Sequence, residues 1–180
     1  MATVMAIGNA DMENAAVDLA NPGPNATVLM IGCGPGVGVV AAAHRASNGL
    51  VIGLDPSEVM VERTRTRCRR ARVEHLSRVE RAAAELIPLP DRSQDAVVSV
   101  NNIQLWSDRA AGLDECVRVL VPGGALVGLL HTWAMPDTVP AGEWIAELTI
   151  DLSTRGVRVE VSQIQRFRSG PALVLAGRLA

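Results

Sequence analysis

The sequence predicts a single doubly wound α/β domain with a mainly parallel seven-stranded sheet and an antiparallel C-terminal hairpin. Three observations lead there. Short β-rich apolar runs alternate with longer helical ones, as parallel βαβ units require. One early run empties into a glycine-rich turn that opens a helix. The length, 180 residues, suits one compact domain with a sizeable core. With 48% hydrophobic and only 20% charged residues, the chain is too apolar for a disordered tail.

Each element can be placed in order. Residues 1–24 read as a short N-terminal helical extension, with a helix around Asp11 to Ala20, and residues 25–180 as the domain proper. The cluster NPGPN (Asn21 to Asn25) breaks the chain, and TVLMIG (Thr27 to Gly32) reads as a buried first strand. An alanine-rich helix follows from about Val37 to Ser47. LVIGLD (Leu50 to Asp55) is the second strand, and Ser57 is placed to cap the helix running to about Arg72. A third strand falls within Ser77 to Ala82 and a fourth is DAVVSVN, Asp95 to Asn101. Ser107 is placed to cap a helix to Leu120, which VPGG (Val121 to Gly124) should stop. ALVGLLH (Ala125 to His131) is the fifth strand. A helix around Ala141 to Thr154 leads into strands near Val157 to Phe167 and Ala172 to Gly177. No helix separates those two, so they should pair through Gly170 and Pro171 as an antiparallel hairpin at the sheet's edge.

Composition excludes several chemistries. All seventeen basic residues are Arg and there is no Lys, which removes Schiff-base and P-loop chemistry. No Tyr, one Phe (Phe167) and three Trp (Trp106, Trp133, Trp144) make base stacking a poor basis for function. A net charge of −2 gives no field to attract nucleic acid or anionic membrane. Six arginines lie between Arg63 and Arg72, but on a helix with no basic surroundings they read as a solvated outer face. Cys33, Cys68 and Cys116 are odd in number and widely spaced, so neither a disulfide framework nor a metal site is expected. The N-terminus lacks a basic n-region, and GALVGLLHTWAM falls short of a membrane span. A reducing, cytoplasmic compartment is the expectation.

The sharpest motif is VLMIGCGPGVG, Val28 to Gly38, a buried strand ending in Gly32, Gly34 and Gly36 with a helix directly after. Glycines at alternate positions let backbone turn tightly against a ligand, and the helix start offers free N–H groups. The spacing is GxGxG, not the GxGxxG of a dinucleotide site, so a nicotinamide-dependent dehydrogenase is disfavoured. In VIGLDPS, Asp55 lies at the carboxyl end of the second strand, 23 residues after Gly32. Alone it could cap the next helix. Paired with the glycines it favours accepting both hydroxyls of a ribose, with Pro56 as an apolar face for adenine.

Together with GLDPSEVMVERTR (Gly53 to Arg65), AELIPLPDRSQDAVVSVNNIQLW (Ala84 to Trp106) and LDECVRVLVPGG (Leu113 to Gly124), the glycine block resembles the class I S-adenosylmethionine-dependent methyltransferases. The likeness is to their small-molecule, type 11-like branch, covers about Asn25 to Leu130, and implies a Rossmann-like fold that binds S-adenosylmethionine and releases S-adenosylhomocysteine. Carried over, the loop Ile31, Gly32, Cys33, Gly34 and Gly36 holds the methionine part, Asp55 the ribose, and Ala83, Ala84 and Glu85 flank the adenine. Asn101 and Asn102 would face the transferring methyl. Gln104, Trp106, His131 and Trp133 are candidates to line the acceptor pocket, and His131 is the candidate general base, although a local hydrogen bond at a strand end explains it as well.

Two departures stand out. The family usually has an acid where this chain has Met30 and another where it has Ala83; each lost charge-assisted bond typically costs about 1.5–3 kcal/mol. Glu85 is near enough in sequence to replace the second. The departures also motivate a rival reading, a non-catalytic methyltransferase-like binding or scaffold protein; a cofactor-bound cyclase is a related option. About ten residues, Thr132 to Pro140, follow the fifth strand, so no long lid is expected there, and a second copy of the chain could complete the acceptor pocket.

Overall fold

The computed structural model describes residues 9–135 and 139–180. Seven strands form one sheet: β1 Thr27–Ile31, β2 Leu50–Asp55, β3 Ser77–Arg81, β4 Gln94–Val100, β5 Leu120–His131, β6 Val157–Phe167 and β7 Gly170–Leu179. Their order is β3-β2-β1-β4-β5-β7-β6, with β1 to β5 parallel and β7 antiparallel to both β5 and β6. The order reverses between β1 and β4, and a crevice at the carboxyl ends of those strands is where open α/β sheets hold ligands. The expected fold is therefore observed, with β6 at the edge and β7 inside it.

Five helices cover the sheet: α1 Ala10–Ala20, α2 Val37–Arg45, α3 Glu58–Ala71, α4 Arg109–Val119 and α5 Ala141–Thr154. Alternation along the strands sorts the core into two faces. Val28, Met30, Val51, Val98 and Val127 point toward α1, α2 and α3, whose contacts are mostly Ala and Val. Leu29, Ile31, Ile52, Leu126 and Leu173 point toward α4 and α5, where Leu113, Trp144, Leu148 and Leu152 fill the space. Small side chains on the first face let α1 and α2 approach closely, and that brings α1 to the glycine loop. On the second face larger side chains carry the burial, about 1.5–3 kcal/mol for each fully buried Leu.

Local details depart from expectation. Ser107 does not cap α4: Asp108 does, its side chain accepting from Ala111 N at 3.0 Å, because the carboxylate sits one residue nearer the first turn. Ser57 occupies the cap position of α3 but its hydroxyl makes no cap bond; its own N–H is donated to Asp55. α4 ends at Val119, and VPGG becomes an irregular stretch within β5, marked by the register shift between Gln94 and Ala96. The expected N-terminal extension is described only from Asn9, and the stretch after β5 lies partly outside the described residues.

Candidate functional site

The turn from β1 to α2 is held from three sides. Gly32, Gly34 and Gly36 have φ of +62°, +51° and +82°, a region that side chains with a Cβ disfavour. From β2, Asp55 Oδ2 accepts Gly34 N at 2.9 Å while its Oδ1 accepts Ser57 N at 2.9 Å. Cys33 N donates to Leu54 O at 2.9 Å. From α3, Thr64 Oγ1 donates to Gly34 O at 2.7 Å and Arg67 Nε to Pro35 O at 2.7 Å. A Cβ on Gly36 would collide with Thr64, and one on Gly32 with the amide of Asn102. Around Gly34 the nearest atom is Gly32 O at 3.9 Å, so its open side is free.

That open side faces a cavity of about 160 Å³, which gathers Gly32, Gly34, Asp55, Asn101 and Asn102 from the carboxyl ends of β1, β2 and β4. Five of the residues singled out from sequence thus meet in one place. Asp55 is 7% exposed, and its oxygens each use one acceptor site on the loop, leaving lone pairs for a diol. The residues present therefore fit a nucleoside carrying an amino-acid tail: glycines without side chains, a buried carboxylate, and the start of α2. Ile31 and Cys33 lie buried beneath the loop; burial pushes the Cys33 thiol up to about 12, so it is inert. Gly36 sits behind the loop against Thr64.

The other candidates lie outside the cavity lining. Pro56 and Ala83 are exposed and Ala84 is buried. Glu85 Oε1 accepts Ser107 N at 2.6 Å, Ser107 Oγ at 2.8 Å and Asp108 N at 3.2 Å. Partial desolvation raises its carboxyl, but these bonds outweigh that and hold it below the usual range. Trp106 donates from Nε1 to Asn102 Oδ1 at 2.5 Å and packs where a Cβ on Gly112 would be. Gln104 Nε2 donates to Asn101 O at 3.1 Å.

His131 is fully buried. Asn101 Oδ1 accepts His131 N at 2.9 Å, the same amide lies against the ring Nδ1 (Nδ2 at 2.9 Å, Oδ1 at 3.1 Å), and the ring Nε2 is hydrogen-bonded with Ser169 Oγ at 2.8 Å. Trp133, 68% exposed, stacks on the ring at 5.1 Å. His131 therefore brackets β4, β5 and the β6–β7 turn, with neither nitrogen open to an acceptor.

Desolvation lowers the His131 pKa, partly opposed by Asp11. The folded ring stays neutral where the unfolded one, near 6.5, takes a proton. Its contribution to stability is present above pH about 6.5 and is lost as pH falls below it. Melting curves between pH 7 and 5 should show a decline in the wild type that His131→Gln flattens.

Sequence reading missed Thr64, Arg67 and Glu13. Thr64 and Glu13 carry a common signal: each is a polar residue on the apolar stripe of its helix. Thr64 lies between Val61 and Cys68, and Glu13 is in step with Ala16, Val17 and Ala20. Arg67 was hidden among its exposed neighbours. Among the described residues no cluster of His, Cys, Asp or Glu could hold a metal, the three cysteines are free, and no helix is long and apolar enough to cross a membrane.

Comparison with known proteins agrees with this geometry. Residues 28–124, more than half of the chain, match the family model described as a methyltransferase domain. A Mycolicibacterium smegmatis protein named "Probable S-adenosylmethionine-dependent methyltransferase" is 38% identical over 142 residues, 74% of this chain and 52% of that protein. The chain spans about half or less of the length of the first curated relatives it matches. In fold it resembles a SAM dependent methyltransferase from Aquifex aeolicus, with TM-score 0.74, 20% identity and coverage of 91% and 86% of the two chains. It also resembles the cyclase SpnF, with TM-score 0.79, 18% identity and coverage of 94% and 80%. The matched segment contains the glycine loop, Asp55, Asn101 and Asn102, and the chain belongs to the class I S-adenosylmethionine-dependent methyltransferase family.

Proposed function

We propose that this chain binds S-adenosylmethionine in the cavity at the glycine loop and transfers its methyl group in line to a small-molecule acceptor. One observation carries the reading: Gly32, Gly34, Asp55, Asn101 and Asn102 line a single cavity at the point where the strand order reverses. The cofactor supplies a methyl group on a positively charged sulfur. The chain's own contribution is to orient and enclose. Asp55 is placed to accept ribose hydroxyls while latching the loop through Gly34 N, so ligand and loop share one anchor. Asn102, held by Trp106, fixes the wall directly against Gly32.

In-line displacement asks mainly for alignment of donor and nucleophile. With both His131 nitrogens engaged, an acceptor that reaches the cavity already nucleophilic suits this site best. Leu105, which lines the cavity and is 72% exposed, offers an apolar rim for it. Calorimetric titration with S-adenosylmethionine and S-adenosylhomocysteine should give micromolar dissociation constants. If neither binds below millimolar, the reading is wrong.

A further inference from the structure

A ligand with an amino-acid tail brings a positive ammonium group, and the cavity must meet it. Only two carboxylates line the cavity among the described residues, Asp55 and Glu13. Asp55 already accepts two backbone N–H groups. Glu13, in the first turn of α1, is partly buried, and its side chain has no hydrogen-bond or ion-pair partner among the described residues. Its position is informative: a Cβ on Gly38 would collide with both Glu13 Oε2 and Met30 Cε. The carboxylate therefore arrives, from a helix earlier in the chain, beside the side chain of Met30 and the first turn of α2.

We propose that Glu13 is the binding partner of the cofactor's α-ammonium group, doing from α1 what an acid at position 30 would do from β1. The proposal rests on the cofactor reading above. It explains why the small-residue face matters, since the mostly Ala and Val contacts between α1 and α2, with Gly38 beneath the carboxylate, let Glu13 come so close. It also explains an unfavourable arrangement. Desolvation pushes the Glu13 carboxyl up to about 8, so the protein without ligand keeps a carboxyl where it is hard to ionise. A cation placed against it would remove that difficulty.

The surrounding titratable groups do not supply one. Cys33 in the loop is a neutral thiol and Asp55 is a second carboxyl group; His44 and Arg45 lie in the last turn of α2, at its other end. Asp95, the second residue of β4, lies at the amino end of that strand, away from the cavity, and His131 on β5 is neutral. On α1, Asp11 accepts Arg168 N and Asp18 pairs with Arg45.

The test uses S-adenosylhomocysteine and its analogue lacking only the α-amino group. Glu13→Gln should weaken S-adenosylhomocysteine by about 10- to 150-fold, the worth of a charge-assisted hydrogen bond, and leave the analogue within twofold. A second readout needs no ligand. A folded pKa raised above the unfolded value gives stability that is present at low pH and lost as pH rises through about 8. Glu13→Gln should therefore melt higher than the wild type at pH 9. Opposite signs in binding and stability are what a purely structural glutamate would not give. Should Glu13→Gln fail to fold, Glu13→Met, apolar beside Met30, replaces it.

Equal weakening of both ligands, or of neither, overturns the assignment and leaves the cofactor reading standing, as does a variant that loses turnover at unchanged affinity. Failure of the wild type to bind S-adenosylhomocysteine overturns both.

Discussion

Replacing Asp55 by alanine is expected to weaken S-adenosylmethionine binding by at least about 100-fold and to destabilise the protein by about 3 kcal/mol. Both effects come from one carboxylate. It accepts Gly34 N and Ser57 N, each at 2.9 Å, while almost fully buried. A hydrogen bond to a charged group is worth about 1.5–3 kcal/mol, and a loop N–H left without a partner adds its own cost. Asp55→Asn keeps one carbonyl oxygen and should retain part of the stability while losing the charge. Titration gives the affinity and urea unfolding the stability. Lost stability with unchanged affinity would reduce Asp55 to a loop latch and remove it from the ribose site.

Gly34→Leu should abolish cofactor binding while the fold survives. Gly34 has φ +51°, so a side chain there costs about 1–2 kcal/mol of backbone strain. No other atom approaches within 3.9 Å of the place its Cβ would take, and the residue lines the cavity, so the added side chain occupies ligand space. Gly36→Ala should behave differently. Its Cβ would run into Thr64, including the backbone of α3, and the damage should appear first in the melting temperature. Calorimetry and thermal unfolding on the two variants separate these outcomes. Equal binding losses with equal destabilisation would mean that the cavity is not where the ligand sits.

The fold was legible because its signals are local. The strand-turn-helix of Val28 to Gly38, the ends of β2 and α5 and the edge hairpin follow from runs, glycines and caps within a few residues. Where neighbours offered the same chemistry the reading slipped: Asp108 and not Ser107 caps α4, since two good cap residues stood side by side. The site was legible in part for the same reason. Gly32, Gly34, Asp55, Asn101 and Asn102 all lie at or just past the carboxyl ends of strands, and those ends of a parallel sheet converge. Glu13 and Thr64 reach the site across helix packing, and the alternation of a strand says nothing about which helix lies on it. His131 shows the converse, a strand-end residue whose surroundings come from Asn101 and Ser169, 30 and 38 residues away.

The bond from Arg168 N to Asp11 Oδ2 joins residues 157 positions apart. Closing so long a loop is slow and entropically costly, and at about 5–20 residues per second roughly 8 to 30 seconds of synthesis separate the two partners. Helix α1 can settle on α2 during that interval, because its packing partners are made early. The bracket among Asp11, Arg168, Ser169 and His131 closes later. A nascent chain therefore carries the segments that line the cavity, up to Leu105, before that bracket can form. During that time the half-built sheet, with β5 unpaired on its outer side, is open to the wrong neighbours.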